Sequence, residues 1–252
     1  MTDTPKTIVI TGASDGIGAA LARHLAPHGH RLALVARRAD ALAQVAATCG
    51  PQALTIVADC TDRAQVDQAT AQALAHFGEV DTWVNNVGQG IARLPSQLTD
   101  DDLDRMMRIN VHSALYGAQA ILPHFRARGT GHLVHVSSVL GRIPFATIRS
   151  AYCGAKHFLN ALTGALRDEL AATHPGIAVS LVSPGPVDTA FSRNAVHATP
   201  SARPLGTPQT AEEVAAVIAS VIASRAPDVY TTPGMQAQVR AYLDALDADP
   251  PG

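Results

Sequence analysis

Short runs of consecutive apolar residues alternate along this chain with longer stretches in which apolar positions recur every three or four residues. The first pattern suits strands buried on both faces and the second amphipathic helices lying over them. Ile8, Val9 and Ile10 make Lys6–Thr11 a strand, followed by a helical pattern through Ala20, Leu21 and Leu25. Further strands are expected at Arg31–Ala36, Ala53–Ala58, Val80–Asn85, Gly131–Ser137, Ile177–Val182 and Val229–Tyr230. Helices are expected at Ala39–Thr48, Arg63–Phe77, from Thr99 to about Arg128, from Tyr152 to about Thr173, at Thr210–Ser224 and at Gln236–Leu246. Gly50-Pro51 and Pro175-Gly176 supply stop signals.

Seven strands alternating with helices predict an α/β fold: one Rossmann-type, doubly wound domain over residues 1–252, its mainly parallel sheet flanked by helices on both faces. Residues 184–209 lack a clear period, and their Ala190–Pro208 part reads as a mobile substrate lid. With 47% hydrophobic residues the core can be large, and a net charge of -2 gives no reason to expect nucleic acid. No apolar run suggests a membrane span or a signal-peptide core. Three cysteines without a CxxC pair read as reduced thiols in a cytoplasmic protein. His24 and His28 have the spacing of a metal pair but lack further ligands, so no metal is expected.

The chemistry concentrates at strand ends. Gly12, Ser14, Asp15, Gly16, Ile17 and Gly18 form a glycine-rich turn between the first strand and its helix. There backbone amides and a helix N-terminus suit a pyrophosphate. The second strand ends in Arg37-Arg38 with no acid before them, which favours a 2′-phosphate and hence NADP(H) over NAD(H). Ser14 is a candidate to join them, whereas Asp15 is a counter-signal. Asp59 and Cys60 after the third strand, and Asn86 and Gly88 after the fourth, lie where an adenine and a ligand crevice are expected. Asn110 is a polar residue in an apolar helix, able to distort it and hold a water. Tyr152 and Lys156, four apart, share a helix face, and an ammonium beside a phenol is expected to lower the phenol's pKa toward neutrality.

Together these motifs resemble the short-chain dehydrogenases/reductases. The resemblance is carried by Thr11–Gly18, Asn85-Asn86-Val87-Gly88, Asn110, Ser138, Tyr152 with Lys156, and Pro184-Gly185-Pro186-Val187-Asp188-Thr189. Val87 stands where the family usually has Ala, and the thirteen residues between Ser138 and Tyr152 are one more than in many members. The resemblance implies that Tyr152 is the general acid in reduction and base in oxidation, and that Lys156 holds the nicotinamide ribose. It also implies that Ser138 binds the substrate oxygen, that Asn110 holds a relay water, and that Pro184, Gly185, Val187 and Thr189 contact the cofactor. The implied activity is hydride transfer between NADP(H) and a carbonyl or secondary alcohol, in a homodimer or homotetramer. Loop position suggests Gln89, Ile143, Phe145, Pro186 and Phe191 as contacts to a mid-sized, mostly hydrophobic substrate. The competing readings are a non-catalytic NADP(H)-binding sensor and a lyase or dehalogenase on the same fold.

Overall fold

The computed structural model describes residues 4–198 and 207–246. Seven parallel strands pair in the order β3-β2-β1-β4-β5-β6-β7. They are β1 (Thr7–Thr11), β2 (Arg31–Ala36), β3 (Ala53–Val57), β4 (Thr82–Asn85), β5 (Gly131–Val136), β6 (Ile177–Ser183) and β7 (Asp228–Tyr230). The helices are α1 (Gly16–Leu25), α2 (Ala39–Cys49), α3 (Arg63–Phe77), α4 (Asp100–Met107), α5 (Ser113–Arg128), α6 (Ser150–Thr173), α7 (Ala211–Ser224) and α8 (Met235–Asp244).

Two-residue alternation divides each strand between two cores. Ile8, Ile10, Leu32 and Leu34 pack beneath α1, α2 and α7, where Leu21, Leu25, Leu42 and Ile218 meet them. Val9, Ala33 and Val35 face the opposite way, against Val66 of α3, Ile121 and Phe125 of α5 and Leu170 of α6. Each fully buried Leu, Ile or Phe contributes about 1.5–3 kcal/mol, so the two layers hold the sheet between both helix sets. A third cluster, including Ile91, Met106, Leu140, Ile143, Tyr152 and Met235, covers the carboxyl ends of the strands.

The expected single helix from Thr99 to Arg128 is interrupted. Thr99 and Asp102 form a capping box that starts α4, and a π-turn over Arg108–His112 separates α4 from α5. Buried Asn110 sits inside that turn. A π-turn widens the backbone ladder by one residue, and such turns gather at functional sites. The strand order reverses beside β1, between the β1–β2 and β1–β4 pairs. Ligands of open α/β sheets bind in the crevice at such a reversal, beyond the strands' carboxyl ends.

Candidate active site

A cleft of about 810 Å³ opens at this reversal. One end is built by the turn between β1 and α1. Gly12 and Gly16 have φ of +66° and +52°, a left-handed backbone that L side chains rarely adopt. Asp15 caps α1 by accepting from the Gly16 amide at 2.7 Å. Asn86 ties the turn to β4: its amide donates to Thr11 Oγ1 (3.0 Å) and its side chain to the Thr11 carbonyl (3.1 Å). Gly18 does not line the cleft. It lets α1 approach the turn, since a Cβ there would lie 2.4 Å from the Gly12 carbonyl oxygen.

At the end of β2, Arg38 donates to Ser14 Oγ at 3.2 Å and pairs with Asp15 at 3.3 Å. Arg37 stands 3.6 Å from Asp59. The carboxylate of Asp15 therefore has two internal tasks, capping a helix and fixing Arg38. Both guanidiniums remain largely exposed, so these pairs are weak and exchangeable. Cys60 also lines the cleft, and burial first, then the Asp59 charge, pushes its thiol up to about 12.

The other end brings together Ser138, Tyr152 and Lys156, all buried and all lining the cleft. The Ser138 side chain is near enough to the Tyr152 phenol to favour its ionised form, and Ser138 Oγ accepts from the Leu140 amide at 3.2 Å. Lys156 Nζ lies 5.8 Å from the Tyr152 ring centroid and donates to the Val136 carbonyl at 3.0 Å. The expected lowering of the phenol pKa is reversed in this structure. Burial drives Tyr152 up to about 12, against the opposing pull of the Ser138 hydrogen bond and the Arg149 charge. The same burial drives Lys156 down to about 7. Desolvation disfavours whichever form is charged, so it raises a phenol and lowers an amine together. At neutral pH Tyr152 is a protonated donor.

Asn110 stands behind the cleft wall. Its Oδ1 accepts from the Gln89 amide (3.1 Å), and its Nδ2 donates to the carbonyls of Gln89 (3.0 Å) and Met106 (3.1 Å). The side chain is thus engaged in clamping the Gly88–Gln89 backbone beside Lys156. Among the substrate-facing candidates, Gln89, Phe145, Pro186 and Phe191 line the cleft, whereas Ile143 is buried in the covering cluster. Phe191 packs edge-on to Tyr152 with centroids 5.6 Å apart. Pro184, Gly185, Val187 and Thr189 line the wall after β6. The expected lid falls partly on residues 199–206, outside the described residues. Sequence reasoning passed over Arg149 and Arg193, which also line the cleft. Arg149, three positions before Tyr152, is the residue that precedes the first turn of α6.

The residues fit a nicotinamide dinucleotide. The glycine turn brings backbone to the cleft at the start of α1, and Lys156 Nζ, buried in the cleft wall, has a single acceptor among the described residues, the Val136 carbonyl. No helix among the described residues is long and apolar enough to cross a membrane, and no cluster of potential metal ligands is found there.

The family profile described as short chain dehydrogenase matches residues 6–200. An uncharacterised oxidoreductase of Staphylococcus epidermidis is 34% identical over 184 residues, covering 73% of this chain and 79% of that one. A short-chain dehydrogenase/reductase from Burkholderia phymatum, solved in complex with NAD, superposes with a TM-score of 0.88 at 25% identity, covering 100% of this chain and 99% of the other. An alcohol dehydrogenase from Thermococcus sibiricus, complexed with 5-hydroxy-NADP, gives 0.78 at 26% identity over 89% of this chain and 95% of that one. A match spanning most of the chain in sequence, and nearly all of it in shape, places this protein among the oxidoreductases of the short-chain dehydrogenase/reductase family.

Proposed function

We infer that this protein is an NADP(H)-dependent oxidoreductase acting on a carbonyl or secondary alcohol, with Tyr152 as the proton donor and acceptor. The observation that carries the reading is the buried Ser138–Tyr152–Lys156 group at one end of a cleft whose other end is a glycine-lined helix N-terminus. The bound nicotinamide supplies or takes the hydride at the substrate carbon. The chain does the rest. In reduction, Tyr152 Oη gives its proton to the substrate oxygen, and the Ser138 hydroxyl hydrogen-bonds that oxygen and stabilises the negative charge developing on it. Lys156 has unused N–H groups for the ribose hydroxyls, and the phenol, held protonated by burial, is in the form that reduction requires. Asn110 fixes the Gly88–Gln89 backbone under this group, a positioning role. Gly12, Ser14, Gly16 and Ile17 cradle the pyrophosphate end, and Asp59 and Cys60 line the adenine end.

The NADP(H) preference is supported by Arg37 and Arg38 with Ser14 at the end of β2, where no acid replaces them. A charge-assisted hydrogen bond contributes about 1.5–3 kcal/mol, so Arg37→Ala and Arg38→Ala should each weaken NADPH binding roughly tenfold or more while NADH changes little. Equal losses for the two cofactors would defeat the preference.

The decisive experiment is Tyr152→Phe with a carbonyl and alcohol panel. Turnover should fall about 100- to 10,000-fold, the usual contribution of a positioned acid, while NADPH still quenches protein fluorescence with its wild-type affinity. Wild-type turnover in this variant would remove Tyr152 from the chemistry. Cofactor binding without turnover of any panel member by the wild type would favour the sensor reading.

A further inference from the structure

The substrate end of the cleft carries positive charge that the chemistry above does not use. Arg149, half-buried, lines the cleft one residue before α6. Its backbone amide donates to Ala146, but among the described residues its guanidinium has no carboxylate or hydrogen-bond partner. The group is seated against the backbone of the β4–α4 loop. A Cβ at Gly90 would lie 2.8 Å from Arg149 Nη1 and 3.0 Å from the Phe191 ring. The guanidinium therefore shares one wall with the ring that packs on Tyr152, and its charge is felt at the phenol.

Arg193, exposed on the loop after β6, adds a second positive charge to the same cleft, again without an ion pair among the described residues. The cleft's carboxylates are placed elsewhere. Asp15 and Asp59 are paired with Arg38 and Arg37 at the adenosine end. Asp188 is exposed on the rim and pairs with neither Arg149 nor Arg193. A partly desolvated guanidinium with no acceptor among the described residues is left to water, and a ligand that brings an acceptor can replace that water. Its planar fork matches a carboxylate, two N–H groups to two oxygens.

We propose that Arg149 determines specificity by binding a carboxylate of the substrate, so that the favoured substrates are oxo acids and hydroxy acids whose carboxylate lies a few bonds from the reacting carbon. Phe145 and Phe191, which line the same cleft, would meet the apolar part of such a substrate. This deepens the carbonyl-reductase reading and rests on it.

The test pairs benzoylformate with its methyl ester, following NADPH consumption by wild type, Arg149→Gln and Arg149→Met. The ratio of kcat/KM for acid over ester should fall at least about tenfold in both variants, the loss of one charge-assisted pair. An unchanged ratio overturns the proposal. Circular dichroism and melting curves confirm that each variant is folded, and the second variant serves if the first is not. Calorimetric titration with benzoate and benzamide separates this proposal from the reading beneath it. The benzoate Kd should rise about tenfold or more in the variants, with benzamide as the uncharged control. If neither oxo compound is reduced, the reductase reading loses its support, while a wild-type benzoate Kd in the variants overturns the role of Arg149 by itself.

Discussion

His135 offers a direct test of how tightly the strand that delivers Ser138 is coupled to the helix that delivers Tyr152. It is completely buried on β5 and bonds Thr163 of α6 at 2.8 Å. The Thr163 hydroxyl donates to the Leu159 carbonyl, so His135 Nδ1 must carry the proton donated to Thr163, and Nε2 is left without a partner among the described residues. Burial, reinforced by the charges of Lys156 and Arg167, drives the imidazole from its ordinary 6.5 to about 3. The folded pKa lies below the unfolded one. Between them the unfolded chain binds the extra proton, so stability falls as the pH drops below 6.5. At about 1.4 kcal/mol per pH unit, moving to about pH 5 removes roughly 2 kcal/mol through this residue. His132, held at about 4 mainly by burial, adds a similar amount. Urea unfolding of cofactor-free protein at fixed concentration and ionic strength, from about pH 7 to about pH 5, measures the slope. In His135→Asn, whose amide can keep the Thr163 bond, stability at neutral pH falls by the lost packing. The acid-dependent loss should shrink by about 2 kcal/mol relative to wild type. An unchanged pH slope would refute a neutral, fully buried His135.

Other outcomes follow from the same geometry. In Gly18→Ala the new methyl group would meet the Gly12 carbonyl at 2.4 Å and the Asn86 side chain at 2.7 Å. Backbone must move, so stability should fall by about 1–3 kcal/mol and NADPH affinity with it, both measurable by thermal melts with and without cofactor. Asn110→Ala removes the partners of both Gln89 backbone groups. Leaving them unpaired should cost about 1–3 kcal/mol, read by urea unfolding. If Asn110 positions the site, kcat should drop more than KM rises; a change confined to stability would make it purely structural.

The alternation of apolar runs with helical periods was enough to define the sheet, its parallel sense and both helix layers, because burial on two faces leaves a continuous hydrophobic signature in each strand. The glycine turn, Arg37-Arg38 and the Tyr152–Lys156 pair were equally legible, since each depends on local spacing within one turn of backbone. Four things needed the folded chain. The π-turn at Arg108–His112 was hidden inside a continuous helical pattern. The partners of Asn110, and the surroundings of Arg149, whose guanidinium is unpaired among the described residues, depend on loops brought together from distant parts of the sequence. The direction of the Tyr152 pKa also reversed, because spacing announces that a cation is near but says nothing about desolvation. How much water the packed layers exclude is a property of the whole tertiary structure, and here it outweighs the opposing influences of Ser138 and Arg149.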